Sequence, residues 1–250
     1  MLLKGKTALV TGAGQGVGQG IALALAAEGA RVAVTGRTKE KLVNTCDIIQ
    51  QRGGEAMPVV CDVKSLASME QCLATVLQHF GGLQILVNNA QEVPLGTLED
   101  VTDESFTAGW ESGPLATFRL MKLCRPHLSG GGCIVNLASA AAMRWDMTGY
   151  GAYAATKEAI RSLTRAAACE WGAEGIRTNV ILPHAKSPGL NWWIENRPEE
   201  AAEVIASIPQ KRVGECEDDI GRFVVMLCSD ASSYVNGQSI ALDGGQANLG

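Results

Sequence analysis

Near its N-terminus the chain reads Thr11-Gly12-Ala13-Gly14-Gln15-Gly16-Val17-Gly18, after an apolar run at 7–11 and before a helical pattern at 17–28. A tight strand-to-helix turn takes glycine where φ is positive or where a phosphate must approach the backbone. The helix start then offers unpaired N–H groups and a partial positive charge to that anion. Glycine clusters mark many turns, but one set between a first strand and a first helix points to a dinucleotide site. Gly12, Gln15, Gly16, Val17 and Gly18 are the candidate contacts for its diphosphate.

The same alternation runs outward through the chain. Apolar runs recur at 7–11, 31–35, 56–61, 84–88, 133–138, 177–182 and 239–242, with helical spacing at 17–28, 39–52, 66–80, 106–128 and 153–172. Several strands are continuous Val/Ile/Leu runs, as in a sheet buried on both faces. The pattern predicts βαβ units around a Rossmann-type, doubly wound parallel α/β sheet of about seven strands, a single domain over residues 1–250. One insertion, at about 184–215, breaks the rhythm with two tryptophans and three prolines. Its helical pieces at 190–196 and 198–207 are expected to form a lid at the ligand-binding edge of the sheet.

Composition narrows the function. With 46% hydrophobic and 19% charged residues the chain can bury a core. A net charge of −5 argues against nucleic acid or an anionic membrane as the main partner. Neither a run of about 20 apolar residues nor an export signal is visible, so a cytoplasmic location is expected. The eight cysteines, without a C-x-x-C pair, read as small buried thiols. Three scattered histidines suggest no metal site.

The second strand should distinguish cofactors. An acidic residue there would hold the 2′-hydroxyl of NAD. This chain instead has Val34-Thr35-Gly36-Arg37-Thr38. Gly36 leaves room for a 2′-phosphate that Arg37 and Thr38 can hold, so NADP(H) is expected, with NAD(H) still open. Arg37 as a merely solvated residue at a loop start is the plainer alternative.

Further along, Ser139 follows the strand at 133–138, and Tyr153-Ala154-Ala155-Thr156-Lys157 opens the long helix after it. Here the sequence resembles the classical short-chain dehydrogenase/reductase family over nearly its whole length. Thr11-Gly12-x-x-x-Gly16-x-Gly18 matches the family's cofactor loop, Asn88-Asn89-Ala90 its fourth-strand motif, and Ser139, Tyr153 and Lys157 its catalytic residues. Tyr234-Val235-Asn236-Gly237-Gln238, then Leu242-Asp243-Gly244-Gly245, match its C-terminal segment. The resemblance implies that Asp62 and Val63 bracket the adenine, that Asn88 and Ala90 line the adenosine and ribose, and that Pro183 flanks the nicotinamide. It also implies that Lys157 holds the nicotinamide ribose, and that the protein is a homotetramer.

The chemistry stands beside the resemblance. Tyrosine and lysine at i and i+4 share one helix face, so the ammonium can favour the phenolate of a group that titrates near 10. Tyr153 can then exchange a proton with an alcohol or alkoxide, Ser139 can hydrogen-bond the reacting oxygen, and the nicotinamide carries the hydride. Tyr150 has no lysine four residues on and is expected to line the site or pack.

Three positions depart from the family's pattern. Gln91 stands where glycine usually follows Asn-Asn-Ala, and its side chain can narrow the cleft or reach substrate. Gly113, followed by Pro114, stands at the family's tetrad asparagine, which holds a water linked to the lysine. The proton relay is therefore expected to be rerouted, and Pro114 to break the helix. His184 follows Pro183 in place of glycine, either touching substrate or packing in its loop. Met143, Trp145 and Met147 on one side, with Leu190, Trp192 and Trp193 on the other, are candidate walls for a bulky ketone, or else core or subunit packing.

The leading expectation is an NADPH-dependent carbonyl reductase, or secondary-alcohol dehydrogenase, for a ring-containing substrate such as a hydroxysteroid, polyketide or phenolic. The alternatives are a 3-oxoacyl-[acyl-carrier-protein] reductase and a non-catalytic NADP(H)-binding sensor or scaffold. The first needs arginines at the site mouth, where Gly130 and Glu174 stand near Arg125, Arg161 and Arg165.

Overall fold

In the computed structural model, which describes residues 1–143 and 149–247, seven strands make one parallel sheet. In chain order they are β1 (Thr7–Thr11), β2 (Arg31–Gly36), β3 (Glu55–Val60), β4 (Ile85–Asn88), β5 (Cys133–Leu137), β6 (Arg177–Pro183) and β7 (Ser239–Leu242). The helices are α1 (Gly16–Ala27), α2 (Lys39–Gln51), α3 (Leu66–Phe80), α4 (Asp103–Trp110), α5 (Ala116–Leu128), α6 (Gly151–Trp171), α7 (Pro188–Asn196), α8 (Pro198–Ser207) and α9 (Arg222–Cys228).

Spatial order is β3-β2-β1-β4-β5-β6-β7. The chain winds outward to β3, returns to the centre and winds the other way, which opens a crevice at the C-terminal ends of β1 and β4. Side chains alternate between two core layers as the strand period requires. Ala8, Val10, Ile85, Val87 and Val135 meet Ile21, Leu25, Leu42 and Val224 on one face. Leu9, Leu86 and Ile134 meet Met69, Val76, Leu120 and Met121 on the other. These strand residues are at most 1% exposed, so neither face of the central sheet is wet. Pro58 sits in β3, an edge strand, where its missing N–H interrupts no inner ladder.

The helical pattern at 106–128 is not one regular helix. It starts at Asp103 and passes through a π-helical turn, Glu111–Leu115, between α4 and α5. Pro114 lies inside that wider turn, which accommodates its missing N–H. All eight cysteines are free thiols and six are buried.

Candidate active site

The glycine turn after β1 holds Gly12 and Gly16 at φ +64° and +59°. Helix α1 then starts without a side-chain cap from Gln15 and without an acidic residue in its first turn. Its leading N–H groups thus keep their affinity for an anion such as a diphosphate. Gln15 instead accepts from the Lys41 ammonium of α2, and Val17 packs on the core. A Cβ on Gly18 would fall 2.4 Å from Asn89 Nδ2, so a side chain there would push the loop after β4 off the turn. Asn89 locks that contact by donating from Nδ2 to the Thr11 carbonyl at 2.8 Å and to the Gly12 carbonyl at 3.2 Å.

At the end of β2, Arg37 follows Gly36, and Thr38 begins α2 without a side-chain cap bond. Arg37 Nη1 lies 2.8 Å from Glu92 Oε1, and Lys64 Nζ lies 3.0 Å from the same oxygen. Two cations therefore share one carboxylate at this edge. Asp62 Oδ1 accepts from the Lys64 N–H at 3.0 Å, and Val63 is buried beside it. Asn88 Nδ2 donates to Asn136 Oδ1 at 2.8 Å, tying β4 to β5, while its Oδ1 is buried without a partner among the described residues. An acceptor left open under the crevice suits a hydroxyl-bearing ligand.

Ser139 leaves β5 and caps the short 3₁₀ turn Ala140–Ala142, its Oγ accepting from the Ala141 N–H at 3.2 Å. The same hydroxyl neighbours the phenol of Tyr153, in the first turn of α6, and favours its ionised form. One turn on, Lys157 Nζ lies 5.3 Å from the Tyr153 ring centroid and donates to the Leu137 carbonyl at 2.7 Å. The fold thus gathers the three residues that the spacing singled out.

Their electrostatics differ from the expectation of a lysine-lowered phenol. Burial pushes the Tyr153 phenol up to about 12, partly offset by the Ser139 hydrogen bond. Burial also brings the Lys157 amine down to about 7. Loss of hydration disfavours the charged form of each group, raising the phenol and lowering the amine.

Gln91 lies in the loop after β4, against Gly113 and Thr156. The Tyr150 ring stands 6.0 Å from that of Tyr153. Met143 is half-buried and packs against a small cluster that includes Ile160 and Leu182. Trp145 and Met147 lie outside the described residues. Pro183 ends β6, and His184 pairs through its backbone with Leu242 and Gly214. His184 also lines a cavity of about 380 Å³ with Arg212, Asp219 and Asp243. On α7, Trp193 is half-buried and Trp192 exposed. The start of that helix abuts the glycine turn: a Cβ on Gly16 would lie 3.0 Å from Pro188 Cδ.

Several participants escaped the sequence reading. Glu92 and Lys64 act through contacts between distant loops, for which no local pattern exists; Asn89 lay in a matched motif, but its grip on the glycine turn shows only in the fold. Val93, Leu95 and Leu98 had a signal, being apolar residues in a segment without strand or helix period. They stay exposed at 48%, 59% and 79%. Bonding of the Gly96 N–H to the Gly149 carbonyl, and packing of Leu98 near Gly151, hold that segment beside the start of α6. Among the described residues, no His/Cys/Asp/Glu group is arranged to hold a metal, and no helix is long and apolar enough to cross a membrane.

A family model described as enoyl-(acyl carrier protein) reductase matches residues 12–247. A 12α-hydroxysteroid dehydrogenase from Clostridium sp. is 36% identical over 253 residues, covering 98% of this chain and 97% of that protein. A 7α-hydroxysteroid dehydrogenase solved with NADH and 7-oxo glycochenodeoxycholic acid superposes with a TM-score of 0.91 at 32% identity, covering 99% of this chain and 97% of that one. An actinorhodin polyketide ketoreductase solved with NADPH superposes with a TM-score of 0.92 at 28% identity, covering 98% of each chain. Sheet order and near-complete sequence coverage lead to one assignment: the chain belongs to the classical short-chain dehydrogenase/reductase family, oxidoreductases acting on hydroxyl and keto groups.

Proposed function

We propose that this protein is an NADPH-dependent carbonyl reductase, or the corresponding secondary-alcohol dehydrogenase, for a bulky apolar or ring-containing ketone. The observation that carries the reading is the Tyr153 phenol, beside Ser139 and with Lys157 Nζ 5.3 Å from its ring, at the sheet's crevice. A phenol pushed up to about 12 is protonated at neutral pH, the form needed to donate to a developing alkoxide. Ser139 hydrogen-bonds the same oxygen, and Lys157 holds the tyrosine's surroundings and the ribose hydroxyls. When bound, the nicotinamide supplies the hydride.

The chain's own groups fit that cofactor. The uncapped start of α1 takes the diphosphate, Asp62 and Val63 the adenine, Asn88 and Ala90 the adenosine side, and Pro183 the nicotinamide. Arg37 with Lys64 favours a 2′-phosphate, because the two cations outnumber the Glu92 carboxylate between them. A reducing, cytoplasmic setting suits the six buried free thiols. The exposed Val93, Leu95 and Leu98, with Trp192 on α7, support an apolar substrate, and the related steroid and polyketide enzymes agree in kind. Helices α7 and α8 are read as the lid of a single domain. Carrier-protein substrates are disfavoured because Arg125 is paired with Glu174, and Arg161 with Glu158.

Purified protein should oxidise NADPH faster than NADH in the presence of steroid or bicyclic ketones. Tyr153→Phe should lower turnover about 10²–10⁴-fold, the range for loss of a general acid. Equal rates in Tyr153→Phe would overturn the mechanism, and a clear preference for NADH would overturn the cofactor assignment.

A further inference from the structure

Two departures from the family's pattern, 22 positions apart in sequence, meet in space. A Cβ built on Gly113 would lie 2.8 Å from both Cδ and Nε2 of Gln91 and 3.1 Å from its Oε1. The carboxamide of Gln91 therefore fills the volume in which a side chain at position 113 would begin. The bare backbone of the π-helical turn at 111–115 is what admits it.

The carboxamide is also wired into the helix that bears the tyrosine and lysine. Gln91 Nε2 donates to Thr156 Oγ1 at 2.6 Å, and the Thr156 hydroxyl donates onward to the Tyr153 carbonyl at 2.7 Å. Thr156 is fully buried and immediately precedes Lys157. Next door, the Ser112 hydroxyl accepts from the Glu92 N–H at 2.9 Å, so the loop carrying Gln91 is itself pinned to the π turn. Gln91 Oε1 is buried without a hydrogen-bond partner among the described residues. An orphaned buried acceptor carries an uncompensated desolvation cost that apolar packing at this position would avoid. A polar group kept under that penalty points to a use for it.

We propose that Gln91 and Gly113 are a matched pair, in which the loop after β4 supplies the carboxamide that the helix lacks. Gln91 is a positioning residue: through Thr156 it fixes the first turn of α6, and with it the placement of Tyr153 and Lys157. Its Oε1 is the acceptor for a solvent molecule at that buried position. The inference rests on the reductase reading for its kinetic test, but the packing of the pair is tested apart from it.

The experiment is a double-mutant cycle of Gln91→Gly, Gly113→Asn and the two together, read by thermal unfolding and by NADPH-dependent reduction of trans-1-decalone. Each single change should lower kcat about 10–100-fold, the effect of displacing a catalytic group by about an ångström. KM for NADPH should stay within about threefold, because the glycine turn is untouched. Gly113→Asn should also lower Tm, since its side chain meets Gln91. The double variant should recover both Tm and kcat well beyond the product of the single effects.

Gln91→Met, similar in length but without the amide, separates packing from polarity and should keep Tm near wild type while losing kcat. Independent single effects in Tm and kcat, or an unchanged kcat in Gln91→Met, would overturn the proposal. If wild type reduces no ketone with either cofactor, the functional reading fails, and the coupling in Tm still decides whether the two positions are a pair.

Discussion

At Lys157 an amine loses nearly all its water, and burial lowers its pKa from 10.5 to about 7. Between those values the unfolded chain binds the extra proton, so stability rises with pH across the window. The contribution is complete above 10.5 and is lost as pH falls through 7. Tyr153 has the opposite sign: its pKa is raised from 10 to about 12, so the unfolded state sheds its proton first and stability falls across that interval. Each group alone can impose a slope of about 1.4 kcal/mol per pH unit. Lys157→Met should abolish turnover and flatten the rise of Tm between pH 7 and 10, whereas a mutant with the wild-type slope would show that the amine is not desolvated. At this scale the sequence was most readable where chemistry is local. Tyr153 and Lys157 are four residues apart on one helix, and Ser139 ends a strand. Gln91 stood out in the sequence and Asn89 lay in a matched motif, but their partners at Thr156 and Thr11, like that of Glu92 at Arg37, arrive only with the completed sheet.

The helices divide by what they bury. Every residue of β5 is buried, whereas α7 buries none and α8 only Ala201. Local opening free energy follows buried apolar contact, so the α7–α8 segment belongs at the low end of the molecule's stability range. Hydrogen exchange should find α7 amides exchanging orders of magnitude faster than those of β5 and β6. NADPH should slow α7 in particular, because Ser187 and Pro188 lie against Gly16 of the anion-binding turn. Protection in α7 that ignores the cofactor would remove the lid from the functional reading. Element boundaries were readable to within a residue or two for the strands, whose apolar runs end near glycine, proline or a polar residue. The start of α4 was missed because Asp103, Glu104 and Ser105 carry no apolar period; the signal there was the Thr102 cap, which accepts from the Ser105 N–H at 3.2 Å. The π turn was foreshadowed by Pro114, but only the fold shows that the widened backbone makes room for a side chain from another loop.

For the molecule as a whole, the −5 charge and the aromatic surface pull in opposite directions. Phe106, Trp110 and Phe118 are each 40–45% exposed along the α4–α5 helix, and the first two stack 6.5 Å apart at 15°. Clustered exposed aromatic area marks an interaction surface more often than a free one. Tyr234, wholly exposed in the segment leading to β7, offers a second such point. A closed homo-oligomer using both would be a tetramer, the state the family resemblance implies. Light scattering should then read about 105 kDa, four chains of 26.3 kDa. Trp110→Glu with Phe118→Glu should give smaller species with an unchanged circular dichroism spectrum. Because four chains bring together a charge of −20, from −5 each, association should weaken as salt is removed. An interface held chiefly by ion pairs would instead weaken as salt is added. A 26.3 kDa particle at every ionic strength would mean that these aromatics face water and that each chain completes its active site alone.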